Sequence, residues 1–249
     1  MGPVINQLTL GSCVSNANHD AIRTRAKILL ANTGKAGSIL LGSRLQTYWF
    51  IRFTYGEVDQ DSGADNTTAI EVLTGLGFCA EGFWPYSDEQ AATYDPSSPD
   101  PYRREPSTLS MEQATPHKQV LKANRIDSSS SDEYLLALRT SLATGYPVPF
   151  GAQVSQDFCQ GNIDPTVPIP ATVTSVGGHD MWFTGYETAS NGQSAFRART
   201  SWGVAPFGPG SEDGTFLVSE DFVTQSTSDA YAIVDVPILI DSTGSSKQQ

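Results

Sequence analysis

One stretch of the chain brings together a side-chain amide, a tight turn and a nucleophile: Asn6-Gln7-Leu8-Thr9-Leu10-Gly11-Ser12-Cys13. Cys13 stands where a long helical pattern begins. A cysteine attacks as its thiolate, and a helix N-terminus or a nearby imidazolium lowers a thiol's pKa. Position supplies the first influence; the second requires one of three histidines. His19 lies six residues into the same helix and points to another face, and His117 sits in a polar connector that reads as exposed. His179 lies in Val176-Gly177-Gly178-His179-Asp180-Met181, at the mouth of an apolar strand-like run, where two glycines let another segment approach closely. Cys13 and His179 are therefore the candidate nucleophile and its acid–base partner.

The elements that must hold these groups follow along the chain. From Cys13 to about Asn32 small, apolar and basic residues alternate at helical spacing. Val14, Ala17, Ala21, Ile28 and Leu29 suit a buried face, and Arg23, Arg25 and Lys27 suit solvent. A second helix is expected from Ser43 to about Tyr55, capped by the serine, and a third from about Thr67 to Leu76, ended by Gly77. Phe83-Trp84-Pro85-Tyr86 reads as an aromatic anchor, 95–108 as an exposed excursion, and 133–144 as a helix behind a polar run. After Gly145 the period becomes two, and strands are expected at 148–154, 181–186, 195–199, 214–218 and 231–236. Helices first and strands second indicates an α+β protein with segregated layers. Residues 241–249 read as a polar, frayed tail.

The totals bound the function. The 249 residues suffice for one large domain or two small ones sharing an interface. A net charge of −12 makes nucleic acid and anionic membrane surfaces poor partners, and no apolar run approaches the length of a bilayer span. Three cysteines, Cys13, Cys79 and Cys159, form neither a disulfide framework nor a metal knuckle. A Cys79–Cys159 bridge stays open, but a reducing compartment is the simpler reading. The N-terminus shows no signal-peptide pattern, so a cytoplasmic location is favoured.

The whole arrangement resembles the papain-like cysteine peptidase family. Gln7 matches the glutamine whose side chain helps form the oxyanion hole, and Gly11-Ser12-Cys13 matches the nucleophile turn. Gly178-His179, followed by an apolar strand ending at Gly185-Tyr186, matches the catalytic-histidine strand. Ser201-Trp202-Gly203 matches the Ser-Trp-Gly that follows the family's orienting asparagine. Asp61-Ser62-Gly63-Ala64 echoes the substrate-backbone loop, and Trp84-Pro85-Tyr86 the aromatic anchor. The marks run from Gln7 to Gly203, in family order. The resemblance implies a two-lobed fold: a mainly helical lobe over 7–115 carrying Cys13, a mainly β lobe over 116–240 carrying His179, and the cleft between them. It implies an endopeptidase forming a Cys13 thioester, with His179 as acid and base, Gln7 in the oxyanion hole, and no metal or organic cofactor. Gly63, Ala64, Asp180 and Trp202 would line the substrate site. Peptides or proteins are the expected substrates, and a propeptide or other proteinaceous inhibitor a further partner.

The sequence also departs from the family. Thr200 occupies the asparagine position; its hydroxyl accepts a hydrogen bond too, but on a short, β-branched stem. Reduced activity is one expectation, and a catalytically impaired papain-fold protein that binds peptides or a partner is the alternative. A thiol acyltransferase or an amidase acting on other amides stays open as well. Asp180 stands where a small apolar residue is usual, so it either favours a basic substrate side chain or turns into solvent. Cys79 reads as a buried small hydrophobe and Cys159 as a loop residue near the β side of the cleft.

Overall fold

A computed structural model describes residues 1–34, 37–87, 100–203 and 213–240. The expected tail, 241–249, and residues 95–99 of the expected excursion lie outside them.

The helical half is built on three helices: α1 (Cys13–Asn32), α2 (Arg44–Tyr55) and α3 (Asn66–Leu76). α2 starts where the Ser43 hydroxyl accepts the Gln46 N–H and stops at Gly56, whose φ of 74° suits a residue without Cβ. Asp65 caps α3 by accepting the Thr68 N–H. α1 differs, because Ser12 makes no side-chain cap. Its hydroxyl is engaged by Tyr86 and Asn16 instead.

The β half is a five-stranded antiparallel sheet in the order β5-β4-β3-β2-β6, from β2 (Val148–Val154), β3 (Gly177–Thr188), β4 (Ser194–Arg199), β5 (Thr215–Ser219) and β6 (Thr227–Ser228). In the central strand β3 the run from His179 to Phe183 is buried throughout. Alternate side chains enter different cores: Met181 and Phe183 join the sheet's own core, and Trp182 packs with α1 and α3 residues. Covering both faces explains why Met181-Trp182-Phe183 is continuously apolar rather than alternating. Phe183 stacks on Phe150 with centroids 3.8 Å apart, and each such fully buried ring contributes about 2–3 kcal/mol.

The segregation of layers is incomplete. α5 (Ser131–Ala143), α6 (Gln156–Cys159) and α7 (Glu220–Ser226) lie within the β half, each opened by a capping serine. The expected strands are all present. The sequence reading missed β1 (Lys122–Arg125), a mostly exposed polar strand without alternation that pairs with β7 (Tyr231–Asp235). A seventh helix, α4 (Thr108–Ala114), follows the excursion.

Several burial expectations fail. Arg23 and Arg25 are 8% exposed, not solvated. Arg25 donates to the Val234 and Gly145 carbonyls across the helix–sheet seam. The described end of the excursion is partly packed, with Tyr102 in an apolar cluster and Asp100 paired to Arg103. Long basic side chains are buried where fixed acceptors meet them, which periodicity cannot show.

Among the described residues no helix is long and apolar enough to cross a membrane.

Candidate active site

Cys13 is the first residue of α1, and the turn before it is pinned from several directions. The Gly11 N–H donates to both oxygens of Asp61 at 3.0 Å, and the Tyr48 hydroxyl bonds the same carboxylate. Ser12 and Tyr86 hydroxyls lie 2.6 Å apart, and Tyr86 also donates to the Gln7 carbonyl at 2.7 Å. Asn16 reaches back to Ser12 and in turn accepts from Arg44, whose guanidinium pairs with Glu81 and covers the Tyr86 ring at 4.0 Å. These bonds span up to 79 residues of chain.

Gln7 is held at both ends of its amide. Its Oε1 accepts the Ser201 hydroxyl at 2.6 Å, and its Nε2 donates to the Leu10 carbonyl at 2.9 Å. Backbone pairing explains the approach: the Gln7 N–H donates to Ser201 O and the Gly203 N–H to Ile5 O.

On the other side of the site, His179 Nε2 lies 2.9 Å from the Thr200 hydroxyl. Its ring stacks on Trp202 with centroids 4.0 Å apart, and Phe158 closes the pocket at 6.3 Å. His179 is 3% and Thr200 2% exposed. Burial pushes the imidazole pKa down to about 3.

The two sides meet at Asp180. The Cys13 thiol lies against the Asp180 backbone N–H and those of Val14 and Cys13 itself. Cys13 is only partly buried as a residue, yet enough protein surrounds its thiol to push its pKa up to about 12, chiefly by burial and then by the Asp180 charge, with the three N–H groups opposing. The Asp180 carboxyl accepts from Asn66 Nδ2, and Asn66 Oδ1 accepts from Asn18 Nδ2 at 2.6 Å. Burial raises Asp180 well above the usual carboxylate range, with Asp229 and Asp65 adding to it. The site at rest thus favours neutral thiol and imidazole, and burial disfavours the charged form of Asp180.

No family model matches the chain. A curated peptidase C1-like protein of Acanthamoeba polyphaga mimivirus is 30% identical over 205 residues, a match taking in 80% of this chain and 60% of that relative. This chain therefore spans less than two thirds of that relative's length. Xylellain, a cysteine protease from Xylella fastidiosa, superposes with a TM-score of 0.74 and 29% identity, over 95% of this chain and 84% of that one. The chain has the fold of the papain-like cysteine peptidases. A Carica candamarcensis cysteine protease solved with the inhibitor E-64 shares the fold, with a TM-score of 0.61 and 18% identity over 95% of this chain and 94% of that one.

Within this papain-like fold the sequence-selected residues gather closely. His179, Thr200 and Trp202 touch, and Gln7 is bound to Ser201 between the last two. Ala64 and Cys13 pack against one apolar cluster. Gly63 has a φ of 79° and donates to the Tyr48 hydroxyl, which keeps this loop beside the nucleophile turn. Asp180 does not turn into solvent; Asn66 holds it inside. Cys79 is buried as expected, whereas Cys159 is exposed at the end of α6 rather than in a loop. His117 is half-buried, with Nδ1 at 2.7 Å from the Phe78 carbonyl. Sequence reasoning missed Asn16, Arg44 and Asn66, whose partners are remote in sequence. Asp61 and Tyr86 were visible only as echoes of family motifs.

Proposed function

We propose that the protein is a cysteine endopeptidase acting through a Cys13 thioester. The observation that carries the reading is the buried His179, bonded to Thr200 and covered by Trp202, on the strand against which the Cys13 thiol rests. Because burial keeps both groups neutral, the Cys13 proton passes to His179 as sulfur attacks the peptide carbonyl. A C–S bond forms, and the carbonyl π electrons move to oxygen. The Cys13 N–H and the second Nε2 hydrogen of Gln7 stabilise the oxyanion, where one such donor contributes about 10²–10³ in rate. Collapse breaks the C–N bond, and His179 gives its proton to the leaving amine. Water, deprotonated by the same imidazole, then attacks the thioester carbonyl; the C–S bond breaks, the acyl group leaves as the carboxylic acid, and the imidazolium returns its proton to the Cys13 sulfur.

Thr200 accepts the His179 Nε2–H and leaves Nδ1 as the base, the role an asparagine has elsewhere in the family. Residues 7–115 and 116–240 form the two lobes, with peptide lying along Gly63 and Ala64. Asp180, bonded to Asn66, offers a substrate side chain an acceptor. Proteinaceous inhibitors, including a propeptide, would occupy the same cleft.

The second reading, a peptide-binding protein with impaired catalysis, is favoured by the neutral resting pair and by Thr200. Turnover of pooled fluorogenic dipeptide amides separates the two. Turnover abolished by Cys13→Ala and by a thiol-directed epoxide supports the peptidase; a folded wild-type protein without turnover leaves the binding reading.

A further inference from the structure

Asp20 lies on α1 seven residues after Cys13, about 10 Å along the axis, and its side chain is 3% exposed. Its Oδ1 accepts from Arg23. Its Oδ2 accepts from Arg199 at 3.0 Å and from Trp182 Nε1 at 3.3 Å. Trp182 is three residues past His179 on β3, and Arg199 directly precedes Thr200 at the end of β4. Arg199 also donates to the Gly2 carbonyl and to the Asp213 carbonyl, and Arg23 donates to the Pro3 carbonyl. Gly2 and Pro3 open the segment that carries Gln7. One carboxylate thus joins the elements bearing all four residues of the proposed mechanism.

The arrangement is costly as a stability device. Taking Asp20, Arg199 and Arg23 out of water removes most of what their attraction gains, and such clusters are often replaceable by apolar residues without loss. What they impose well is geometry: each bond is directional, and removal of one partner leaves a buried charge without its counterpart.

We propose that Asp20 is a positioning residue for the reaction, acting through Arg199 on Thr200, through Trp182 on His179, and through the Gly2–Pro3 segment on Gln7. It touches no reacting atom. Its effect should fall on the chemical step and not on substrate affinity. The proposal rests on the peptidase reading for its kinetic test, and an alkylation test keeps the two separable.

Two variants are measured. Asp20→Asn keeps the shape; its one oxygen, in the place of Oδ2, still accepts from Trp182 and more weakly from Arg199, while its NH2 group cannot accept from Arg23. Trp182→Phe keeps a buried ring and removes only the Nε1 bond. Since displacements of about 1 Å cost about 10²-fold in rate, a partial loosening is expected to lower kcat about tenfold in Asp20→Asn and about threefold in Trp182→Phe, with KM within about twofold. Alkylation of Cys13 by iodoacetamide should slow in the same order while alkylation of Cys159 does not change. Folded variants with wild-type kcat and wild-type Cys13 alkylation overturn the proposal, as does a loss of kcat no larger than the unfolded fraction. If Asp20→Asn does not fold, Trp182→Phe decides by the same readings. If wild type shows no Cys13-dependent turnover, the peptidase reading fails, and the alkylation rates alone then support or overturn the positioning role.

Discussion

The turn that carries Cys13 is fixed by directional polar bonds from distant parts of the chain, whereas His179 is fixed mainly by ring burial and one hydroxyl. Asp61, Tyr86, Asn16 and Arg44 surround the first. Trp202, Phe158 and Thr200 surround the second. The difference separates two jobs. Polar bonds set where the turn holds the sulfur, and aromatic walls exclude water from the imidazole and so set its proton affinity. The nucleophile end should therefore respond to substitution in rate, and the histidine end in pH dependence as well.

The largest effect is expected where the two ends share a function. His179→Ala removes the only imidazole in the site, and kcat should fall by about 10²–10⁴, measured with the fluorogenic amides. A residual rate near wild type would break the comparison at its root. Next is Tyr86→Phe, which deletes the hydroxyl joining Ser12 to Gln7 and nothing else. It should lower kcat about tenfold and stability by about 1 kcal/mol in urea unfolding, without moving the pH profile. Trp202→Leu tests the opposite end. Opening the ring wall should raise the His179 pKa from about 3 towards its ordinary value, so the acid limb of Cys13 alkylation should move to higher pH. An unmoved limb would mean that burial by Trp202 does not set that pKa.

The smallest effect concerns a histidine outside the site. Burial, and then the Arg44 charge, lowers His19 to about 3, and its Nε2 bonds Thr47 at 2.8 Å. In the unfolded chain both His19 and His179 take up protons as pH falls below about 6.5, while the folded protein stays unprotonated down to about 3. The unfolded state then binds more protons, so stability falls with falling pH across that window. Asp180, raised in the fold, acts in the opposite sense by keeping its proton. Comparison with His19→Gln cancels that contribution. The slope of unfolding free energy against pH should drop by about one proton in the variant, read from urea titrations between pH 6 and about 4.

The same division explains what the sequence could disclose. α1, α2, α3 and strands β2 to β5 follow from periodicity, capping Ser43 and Asp65, and terminal glycines, all local signals. Cys13, His179 and Trp202 are legible because motif spacing places them on those elements. Arg23, Arg25, Arg199 and Asn66 are not, since a polar residue at a buried position is specified by its partner across the fold, and that partner lies up to 209 residues away. Strand β1 escaped for a related reason: one edge pairing with β7 needs no apolar face.

The central claim is that the fold activates Cys13 through His179, and competitive thiol labelling tests it most directly. Cys159 is exposed, Cys13 partly buried and Cys79 buried, so accessibility alone ranks Cys159 first. A limiting thiol-directed epoxide, followed by peptide mass mapping, should label Cys13 first in the wild type, and His179→Ala should abolish that preference. Labelling of Cys159 before Cys13 in the folded wild type, or a Cys13 rate indifferent to His179→Ala, would contradict the account.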